Sequence, residues 1–500
     1  MDFLSNLTLG FSVVAEPMNL LFCFVGVLLG TLIGVLPGLG PGATISLLLP
    51  LTYHLEPIAS IIMVAGIYYG AKYGGSTTSI LLNIPGEVDS VVTCLDGYQM
   101  ARQGKAGRAL GISAFGSFIA GTFATLGLML VAPALAKVAL SFGPPEMFSL
   151  MMLAMTLITF MSTGSQVKGL AMASLGLFLG SVGQDVFNNV DRFVFGYHFL
   201  LEGLGIVPVI VGLFGIGEVL SNLEVQIRGE VFQKRVSHLL PTLKDWKDSF
   251  WPIVRGTLIG FFVGIIPGGG GIASTFASYT IEKRVSSHPE KFGAGAIEGV
   301  AGPEAANNAC SGANFIPLLT LGIPTNGIMA IIFASLMING LQPGPLLIKN
   351  QPALFWGVIA SMYLGNVMLV LLNLPLIGIW VRFLTIPYTI LAPLILFFCL
   401  VGAYTVKNAV GDLIIMIVFG VLGFLMRKFR YEGAPLIMGF VISELVEGAF
   451  IRSLLISKGS LAIFFTRPIS CAVMIVALLL FILPFFGKKP LKLGAGDDDD

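Results

Sequence analysis

The chain has 500 residues, of which 55% are hydrophobic and 11% are charged, and its mean hydropathy is +0.91. Soluble domains carry about 25% charged residues, so this composition excludes an ordinary soluble protein and predicts an integral membrane protein. The formal net charge of +1 gives no bulk field suited to nucleic acid. The five cysteines are scattered without metal-type spacing, which favours a packing role for them.

The N-terminal segment has no basic region ahead of its first apolar run and carries Asp2 and Glu16 instead. This pattern favours a retained first span over a cleaved signal peptide. Apolar runs long enough to cross a bilayer recur to the end of the chain, for example at 111–135, 353–381 and 461–486. The fold class that we predict is an all-α polytopic membrane protein with about ten to twelve transmembrane helices and two re-entrant elements.

A break rich in glycine and proline interrupts an apolar segment twice, at LIGVLPGLG (32–40) and at FVGIIPGGG (262–270). The glycines and the proline of the two strings coincide at an offset of 230 residues. Each string predicts the end of one half-helix and the start of another, because proline removes a backbone donor and glycine frees the backbone. A kinked helix or a close helix crossing would explain one break. Two matched breaks favour a transporter site near the bilayer midplane, where helix N-termini attract anions.

A second pair of strings, LLNIPGE (81–87) and LTLGIPTN (319–326), matches at an offset of 239 residues. The first is preceded by GGSTTS (74–79), whose consecutive hydroxyls are costly in an apolar stretch unless they are hydrogen-bonded. We interpret this cluster as a helix N-terminus, with Glu87 and Asp89 at its outer end. Back-bonding of the hydroxyls to helix carbonyls is the alternative.

Amide side chains and a carboxylate precede the second string. Glu304, Asn307, Asn308 and Asn314 lie in an apolar setting and offer carbonyl and carboxylate oxygens to a cation. The same amides can donate to a substrate carboxylate, or simply join neighbouring helices. Three basic residues near apolar runs, Lys72, Lys168 and Arg192, are interpreted as interfacial anchors, since long basic side chains reach for the membrane surface.

Loop charges indicate how the two halves are oriented. The loop 52–60 has no Lys or Arg and the corresponding loop 281–291 has three, whereas 100–110 has three and 340–352 has one. Positive loops tend to be cytoplasmic, so the opposite bias predicts an inverted structural repeat. The domains that we predict are a first membrane repeat (1–221), a cytoplasmic linker (222–250), a second membrane repeat (251–487) and a polar C-terminal tail (488–500), also cytoplasmic.

Catalytic signatures are lacking in the sequence, which contains no HExxH, no P-loop and no GxSxG. The string Gly111-Ile112-Ser113 is weakly like that of a serine protease but has no well-placed histidine partner. We therefore predict that the chain is not an enzyme and that uphill transport is driven by an ion gradient or a partner. An intramembrane enzyme and a channel are the alternatives.

Four long strings make the sequence resemble a known family. They are GVLPGLGPGATISLLLPLTY (34–53), YYGAKYGGSTTSILLNIPGE (68–87), GIIPGGGGIASTFASYTIEK (264–283) and GPEAANNACSGANFIPLLTLGIP (302–324), and FGIGEVL (214–220) agrees as well. All resemble the large membrane subunit of the tripartite tricarboxylate transporters, the TctA type. The resemblance spans nearly the full length, and the strings occur in the family's order.

The resemblance implies a bacterial inner-membrane secondary transporter that imports citrate-like and other organic carboxylates by an elevator-like motion. Its partners would be a small membrane subunit of the TctB type and a periplasmic substrate-binding protein of the TctC type. No cofactor is implied beyond a coupling cation, Na⁺ or H⁺. A carrier that needs no binding protein is the alternative. The implied substrate contacts are Pro37, Gly38, Leu39, Gly40, Gly42, Gly75, Ser76, Thr77, Thr78, Asn83, Pro85, Gly86, Pro267, Gly268, Gly269, Gly270, Pro324, Thr325 and Asn326.

Overall fold

The computed structural model describes residues 3–36, 40–160, 165–185, 187–224, 238–383 and 388–486, and these residues are overwhelmingly helical. The helices before residue 225 are α1 Phe3–Val14, α2 Pro17–Val35, α3 Pro41–Thr52, α4 Pro57–Leu82, α5 Val91–Arg102, α6 Ala106–Ala139, α7 Pro144–Phe160, α8 Gln166–Gly180, α9 Ile206–Ile210 and α10 Gly217–Glu224. A π-helical stretch, Val211–Ile216, joins α9 to α10. The strands β1 Gly183–Gln184 and β2 Asp191–Arg192 form an antiparallel pair.

The helices after residue 238 are α11 Leu243–Ile265, α12 Gly271–Val285, α13 Glu298–Ala313, α14 Phe315–Leu321, α15 Gly327–Ile338, α16 Leu347–Asn350, α17 Pro352–Asn373, α18 Ile377–Phe383, α19 Tyr388–Lys407, α20 Val410–Lys428, α21 Gly433–Ile456, α22 Ile463–Thr466 and α23 Pro468–Phe486. Short 3₁₀ turns lie at Val88–Ser90, His198–Leu200 and Pro289–Lys291.

Seven helical segments within the described residues are long and apolar enough to cross a membrane. Six shorter apolar helices accompany them, including α3 and α15. The chain is therefore an all-α, multi-pass membrane protein, as its composition predicts. The seven segments are α2, α6, the continuous stretch from α9 through α10, α17, α19, α20 and α21.

The same close helix pair occurs in each half of the chain. Gly26, Gly30 and Gly34 of α2 face carbonyl oxygens of α4 so closely that a Cβ on any of them would overlap the partner backbone. Gly256, Gly260 and Gly264 of α11 face carbonyl oxygens of α13 in the same way, at the offset of 230 already found for the breaks. Small residues at this spacing let membrane helices approach to backbone contact. The excess of glycine thus serves helix packing in both halves.

The paired helices also end alike. The helices α2 and α11 stop at Leu36 and Ile266, which have nearly equal backbone angles (φ −82°, ψ 112° and φ −84°, ψ 122°). The helices α4 and α14 stop at Asn83 and Gly322, both left-handed, with φ of 58° and 70°. An Ile-Pro pair follows each of these ends, and proline cannot continue a helix. The breaks predicted at 32–40, 81–87, 262–270 and 319–326 are therefore confirmed as helix interruptions.

One local prediction is wrong. The hydroxyl cluster Ser76–Ser79 lies inside α4, one to two turns before its end, and does not begin a helix. Ser76, Thr77 and Thr78 each lie within hydrogen-bond distance of the carbonyl oxygen four residues earlier, which is the back-bonding geometry of a helix interior. Thr78 also donates to the carbonyl oxygen of Val35 at 2.8 Å, a group left free by the end of α2.

The polar interval between the halves is partly helical. The helix α11 begins at Leu243, where Thr242 accepts a hydrogen bond from the Asp245 backbone and the Asp245 carboxylate accepts one from that of Thr242. This capping box fixes the start of the helix. Residues 243–250 of the predicted linker therefore belong to α11, whereas 225–237 and the tail 487–500 lie outside the described residues.

Candidate substrate and cation site

Lys72 of α4 lies in a buried ion cluster. Its Nζ is 2.6 Å from Glu87 Oε2 and also pairs with Asp89 Oδ2, and the ring of Tyr68 lies 5.3 Å from the same nitrogen. Because removing an ammonium from water is costly, it needs such partners. Our interpretation of Lys72 as an interfacial anchor is therefore wrong: the chain after α4 folds back and delivers two carboxylates to it.

Glu304 of α13 is a second buried carboxylate, and its neighbours are hydroxyls. Its Oε2 accepts hydrogen bonds from Ser76 at 2.5 Å and from Ser113 at 3.0 Å, and its Oε1 accepts one from Thr93. These hydroxyls come from α4, α6 and α5. The ion pairs found among the described residues do not include Glu304.

The three asparagines predicted beside Glu304 have different surroundings. Asn307 donates to Glu87 at 2.8 Å, and its Oδ1 has no hydrogen-bond partner among the described residues. Asn308 donates to Ser117 at 2.7 Å. Asn314 donates to Tyr68 at 2.9 Å and accepts from Thr325 at 3.0 Å. Asn307 thus retains a free carbonyl oxygen, whereas Asn314 joins α4 to the loop after α14.

Taken together, this buried cluster holds one cationic side chain, Lys72, against three carboxylates, Glu87, Asp89 and Glu304. Buried charge without a partner is costly, so such a cluster attracts protons or cations. The described residues nevertheless contain no group of three or more His, Cys, Asp and Glu side chains arranged to hold a metal ion.

The second break reaches this cluster. Gly271, the first residue of α12, lies against the carboxylate of Asp89. Gly268, with φ of 81°, donates its N–H to the carbonyl oxygen of Thr325 at 2.8 Å. The loops 267–270 and 322–326 are thereby joined, and Asn326 caps α15 by accepting from the Met329 N–H. Of the predicted contacts here, Pro267, Gly269, Gly270 and Pro324 lie in these loops.

The first break has different polar neighbours. Gly40 precedes α3 and donates its N–H to Glu218 Oε1 at 2.6 Å, while Glu218 Oε2 lies 2.7 Å from a guanidinium nitrogen of Arg427. Gly42 faces Ile328 and Ile331 of α15. No hydrogen bond or ion pair within the described chain links Gly40 to Lys72. The predicted contacts Pro37, Gly38 and Leu39 lie outside the described residues.

The remaining predicted contacts lie around the end of α4. Gly75 is packed against Glu87 and Gly86, and Gly86 in turn lies against the carbonyl oxygen of Gly34. Asn83 ends the helix, and Pro85 follows it in the loop. This part of the predicted site is close to both α2 and the Lys72 cluster.

Sequence reasoning missed several polar residues that the fold brings here. Thr93 has no local signal of its partner Glu304, and Ser113 is noted in the sequence only for a weak likeness to a serine protease. Glu218 could have been singled out from the sequence, because it is a carboxylate within the otherwise apolar string FGIGEVL. Asp96 of α5 is the fourth such residue: its Oδ1 accepts the backbone N–H groups of Gly293, Gly295 and Ala296, which fixes the loop ahead of α13.

Comparison with known proteins shows the family of the chain. The profile of the "Tripartite tricarboxylate transporter TctA family" matches residues 20–438. The chain belongs to this family. It is a family of transporters, whose tripartite systems work with partner subunits, and the match places all four breaks and the buried cluster inside the family region.

Two relatives come from Agrobacterium vitis. One, "Uncharacterized 52.8 kDa protein in TAR-I ttuC' 3'region", is 50% identical over 501 residues and covers all of both chains. The other, "Uncharacterized protein in TAR-II ttuC' 3'region", is 47% identical over 242 residues, which is 48% of this chain and all of the relative. No solved structure matches the chain significantly.

Proposed function

We propose that this chain is the large transmembrane subunit of a binding-protein-dependent secondary transporter that imports tricarboxylates and other organic carboxylates by cation symport. It works in the bacterial inner membrane with a small membrane subunit and a periplasmic substrate-binding protein. Membership of the TctA family supports the class of transporter and the need for partner subunits.

One observation carries the proposal for carboxylates. At both breaks, the start of the following helix lies against a carboxylate of the protein itself, Glu218 at Gly40 and Asp89 at Gly271. Each carboxylate is paired with a basic side chain, Arg427 or Lys72. Exposed N–H groups and the helix dipole favour negative charge at such positions. Both helix starts are therefore surroundings that suit an organic carboxylate.

The charge of the buried cluster supports symport. With Lys72 opposed by three carboxylates, the empty site has an excess of negative charge that would repel an incoming carboxylate. Binding of a cation or a proton near Glu304 or Asn307 removes this repulsion. Substrate and cation are thereby coupled, because each binds better when the other is present.

An inverted repeat and an elevator-like motion complete the proposal. The glycine-packed pairs α2–α4 and α11–α13, with their matching ends, support a repeat. The opposite charge of corresponding loops supports its inversion. Substrate held between the two sets of helix ends would cross with the helices that carry them, as in other carriers built from inverted repeats.

Reconstituted uptake tests the proposal. We would place the chain and its small membrane subunit in liposomes, add the binding protein, and measure radiolabelled citrate, tartrate and related acids with and without an inward Na⁺ gradient. We expect uptake that requires both the gradient and the binding protein. Uptake without the binding protein would support a single-component carrier. The absence of uptake for every acid, under Na⁺ and proton gradients alike, would contradict the proposal.

A further inference from the structure

A small cleft lies beside Glu304, between α4, α6 and α17. Its polar lining consists of Tyr73 and Thr77 from α4, Ser113 from α6, and Asn373 from the last position of α17. Leu110, Ala114 and Leu374 supply the apolar part of the lining. The space suits about one water-sized particle.

Two polar atoms in this cleft lack a hydrogen-bond partner among the described residues, the Tyr73 hydroxyl and Asn373 Oδ1. Tyr73 is 4% exposed and Asn373 is 5% exposed, so neither is hydrated from outside. The Asn373 amide nitrogen donates to the carbonyl oxygen of Leu369 at 2.9 Å, which fixes the orientation of the side chain. Because buried polar atoms are nearly always paired, two unpartnered atoms in one cleft indicate a place for a small polar guest, a water molecule or an ion.

Most of the unused hydrogen-bonding capacity in the cleft consists of acceptors. The Thr77 hydroxyl already donates to the Tyr73 carbonyl oxygen, and the Ser113 hydroxyl donates to Glu304. Their remaining lone pairs, together with Asn373 Oδ1, accept only. Among these four side chains, the uncommitted donors are the Tyr73 O–H and the second amide hydrogen of Asn373. Several oxygens with few hydrogens form a site for a hard cation.

We propose that this cleft is a sodium site, whose ligands are the side-chain oxygens of Tyr73, Thr77, Ser113 and Asn373. Glu304, joined to the cleft through Ser113, supplies the compensating charge. One carboxylate among neutral oxygens suits a single positive charge, whereas divalent ions are usually held by more carboxylates. The inference rests on the proposed function, since it places the coupling cation of that carrier.

The site differs from the one that the sequence predicts. Glu304 keeps its role as the charged group, but the oxygens come from α4, α6 and α17, and Asn308 and Asn314 are not among them. Asn308 and Asn314 instead hydrogen-bond Ser117 and Tyr68. The sodium ion would thus lie beside the Lys72 cluster and lower its negative potential. Thr77, which the family resemblance implies as a substrate contact, would instead be a ligand of the ion.

Thermal unfolding of the purified full-length chain tests this site directly. We would measure the Tm in NaCl at rising concentration, with choline chloride keeping the ionic strength constant, and repeat the series with KCl. A ligand that binds the folded state raises the Tm in a saturable way. We expect such a rise with Na⁺. Asn373→Leu and Thr77→Val should each raise the half-saturating Na⁺ concentration by about tenfold or more.

Matched control variants are available one helix turn or one helix away. Thr125→Val removes a buried hydroxyl that back-bonds on α6 outside the cleft, and Tyr69→Phe removes a phenol that donates to Ser361. Both should keep the half-saturating concentration of the wild type. Thr77→Val nearly conserves the shape of the side chain. It therefore still tests the sodium site if Asn373→Leu does not fold.

Three results would overturn the sodium site. They are a wild-type Tm that does not respond to Na⁺, one that responds equally to K⁺ or only to pH, and cleft variants with the Na⁺ response of the wild type. The measurement needs no carboxylate, small subunit or binding protein. A failure here therefore leaves the uptake experiment standing, and failed uptake with an intact Na⁺ response would contradict the proposed function alone.

Discussion

At the first break, Gly40 meets the carboxylate of Glu218, whereas at the second break Gly271 meets the carboxylate of Asp89. The helices that lead into the two breaks end with nearly the same backbone angles, at Leu36 and Ile266. The basic partners are not: the Arg427 side chain is 41% exposed, and that of Lys72 is 1% exposed. One helix start therefore has a partly exposed basic partner, whereas the other has a buried one, and charges act more strongly in the buried surroundings.

The two halves match in their glycines and helix ends and differ in their charged residues. Glycines and helix ends recur at fixed offsets, but the charged residues do not. At the offset of 239, Lys72 corresponds to Ser311, so the second half has no equivalent ammonium at that position. The two halves thus share a backbone plan, and side chains at unmatched positions give each break its own electrostatics.

Replacing Lys72 should have the largest effect. Lys72→Met leaves the buried Glu87 and the partly buried Asp89 without their cation, and breaking a buried ion pair costs about 3–5 kcal/mol. We expect a large fall in the Tm and a loss of carboxylate uptake. Adding Asp89→Asn should restore part of the stability, since it removes one of the stranded charges.

The control for this variant is Lys168→Met. Lys168 is partly exposed, donates to the carbonyl oxygen of Phe429 and lies 4.5 Å from the ring of Tyr431. Its loss should change little. If Lys72→Met took up carboxylates with the kinetics of the wild type, the buried ammonium would have no part in binding them.

The paired glycines give a second, smaller effect that tests the shared backbone plan. Gly30→Ala and Gly260→Ala would each push a methyl group into a carbonyl of the partner helix, at Ile67 and Ala306. Overpacking of this kind costs about 1–3 kcal/mol. We expect similar losses in both halves, measured as the fall in Tm.

Gly116→Ala is the control, because the nearest atom to its added Cβ would be 3.5 Å away, an ordinary contact. If Gly30→Ala lowered the Tm strongly and Gly260→Ala left it unchanged, the two helix pairs would not be packed equally tightly. The comparison between the halves would then hold for the helix ends alone.

Glu218→Gln should have the smallest effect. The amide oxygen can still accept from the Gly40 N–H, but the charge that favours this helix start and pairs with Arg427 is gone. Because the arginine is partly exposed, we expect a loss of about 1 kcal/mol in stability. Glu224→Gln, which removes an exposed pair with Lys428, is the control and should be nearly neutral. A loss as large as that of Lys72→Met would contradict the screening argument.

Much of the fold followed from the sequence because its signals are local. The breaks combine Gly and Pro, residues that act on their own backbone, and the predicted interruptions at Asn83 and Gly322 are found. The class of protein followed from composition, and the family from four long strings. Glu304 and Asn307 stood out because polar groups are rare in apolar runs, and both are buried.

The site was harder to predict because its contacts join distant parts of the chain. Ser76 and Glu304 are 228 positions apart, and Gly40 and Glu218 are 178 apart. The residues that adjoin Lys72 in the sequence do not indicate that Glu87 and Asp89 fold back onto it. The hydroxyls of 76–79 were misread for a related reason: a helix can satisfy them internally, and sequence does not distinguish that from a helix start.

Glu304 receives its three hydroxyls from three different helices of the first half, while it belongs to α13 of the second. Pulling α13 away from α4, α5 and α6 would strand a carboxylate and three donors out of reach of water. Hydrogen bonds as well as packing therefore hold the two halves together at this interface. Separating these four helices would therefore cost the hydrogen bonds of a buried carboxylate as well as apolar contacts.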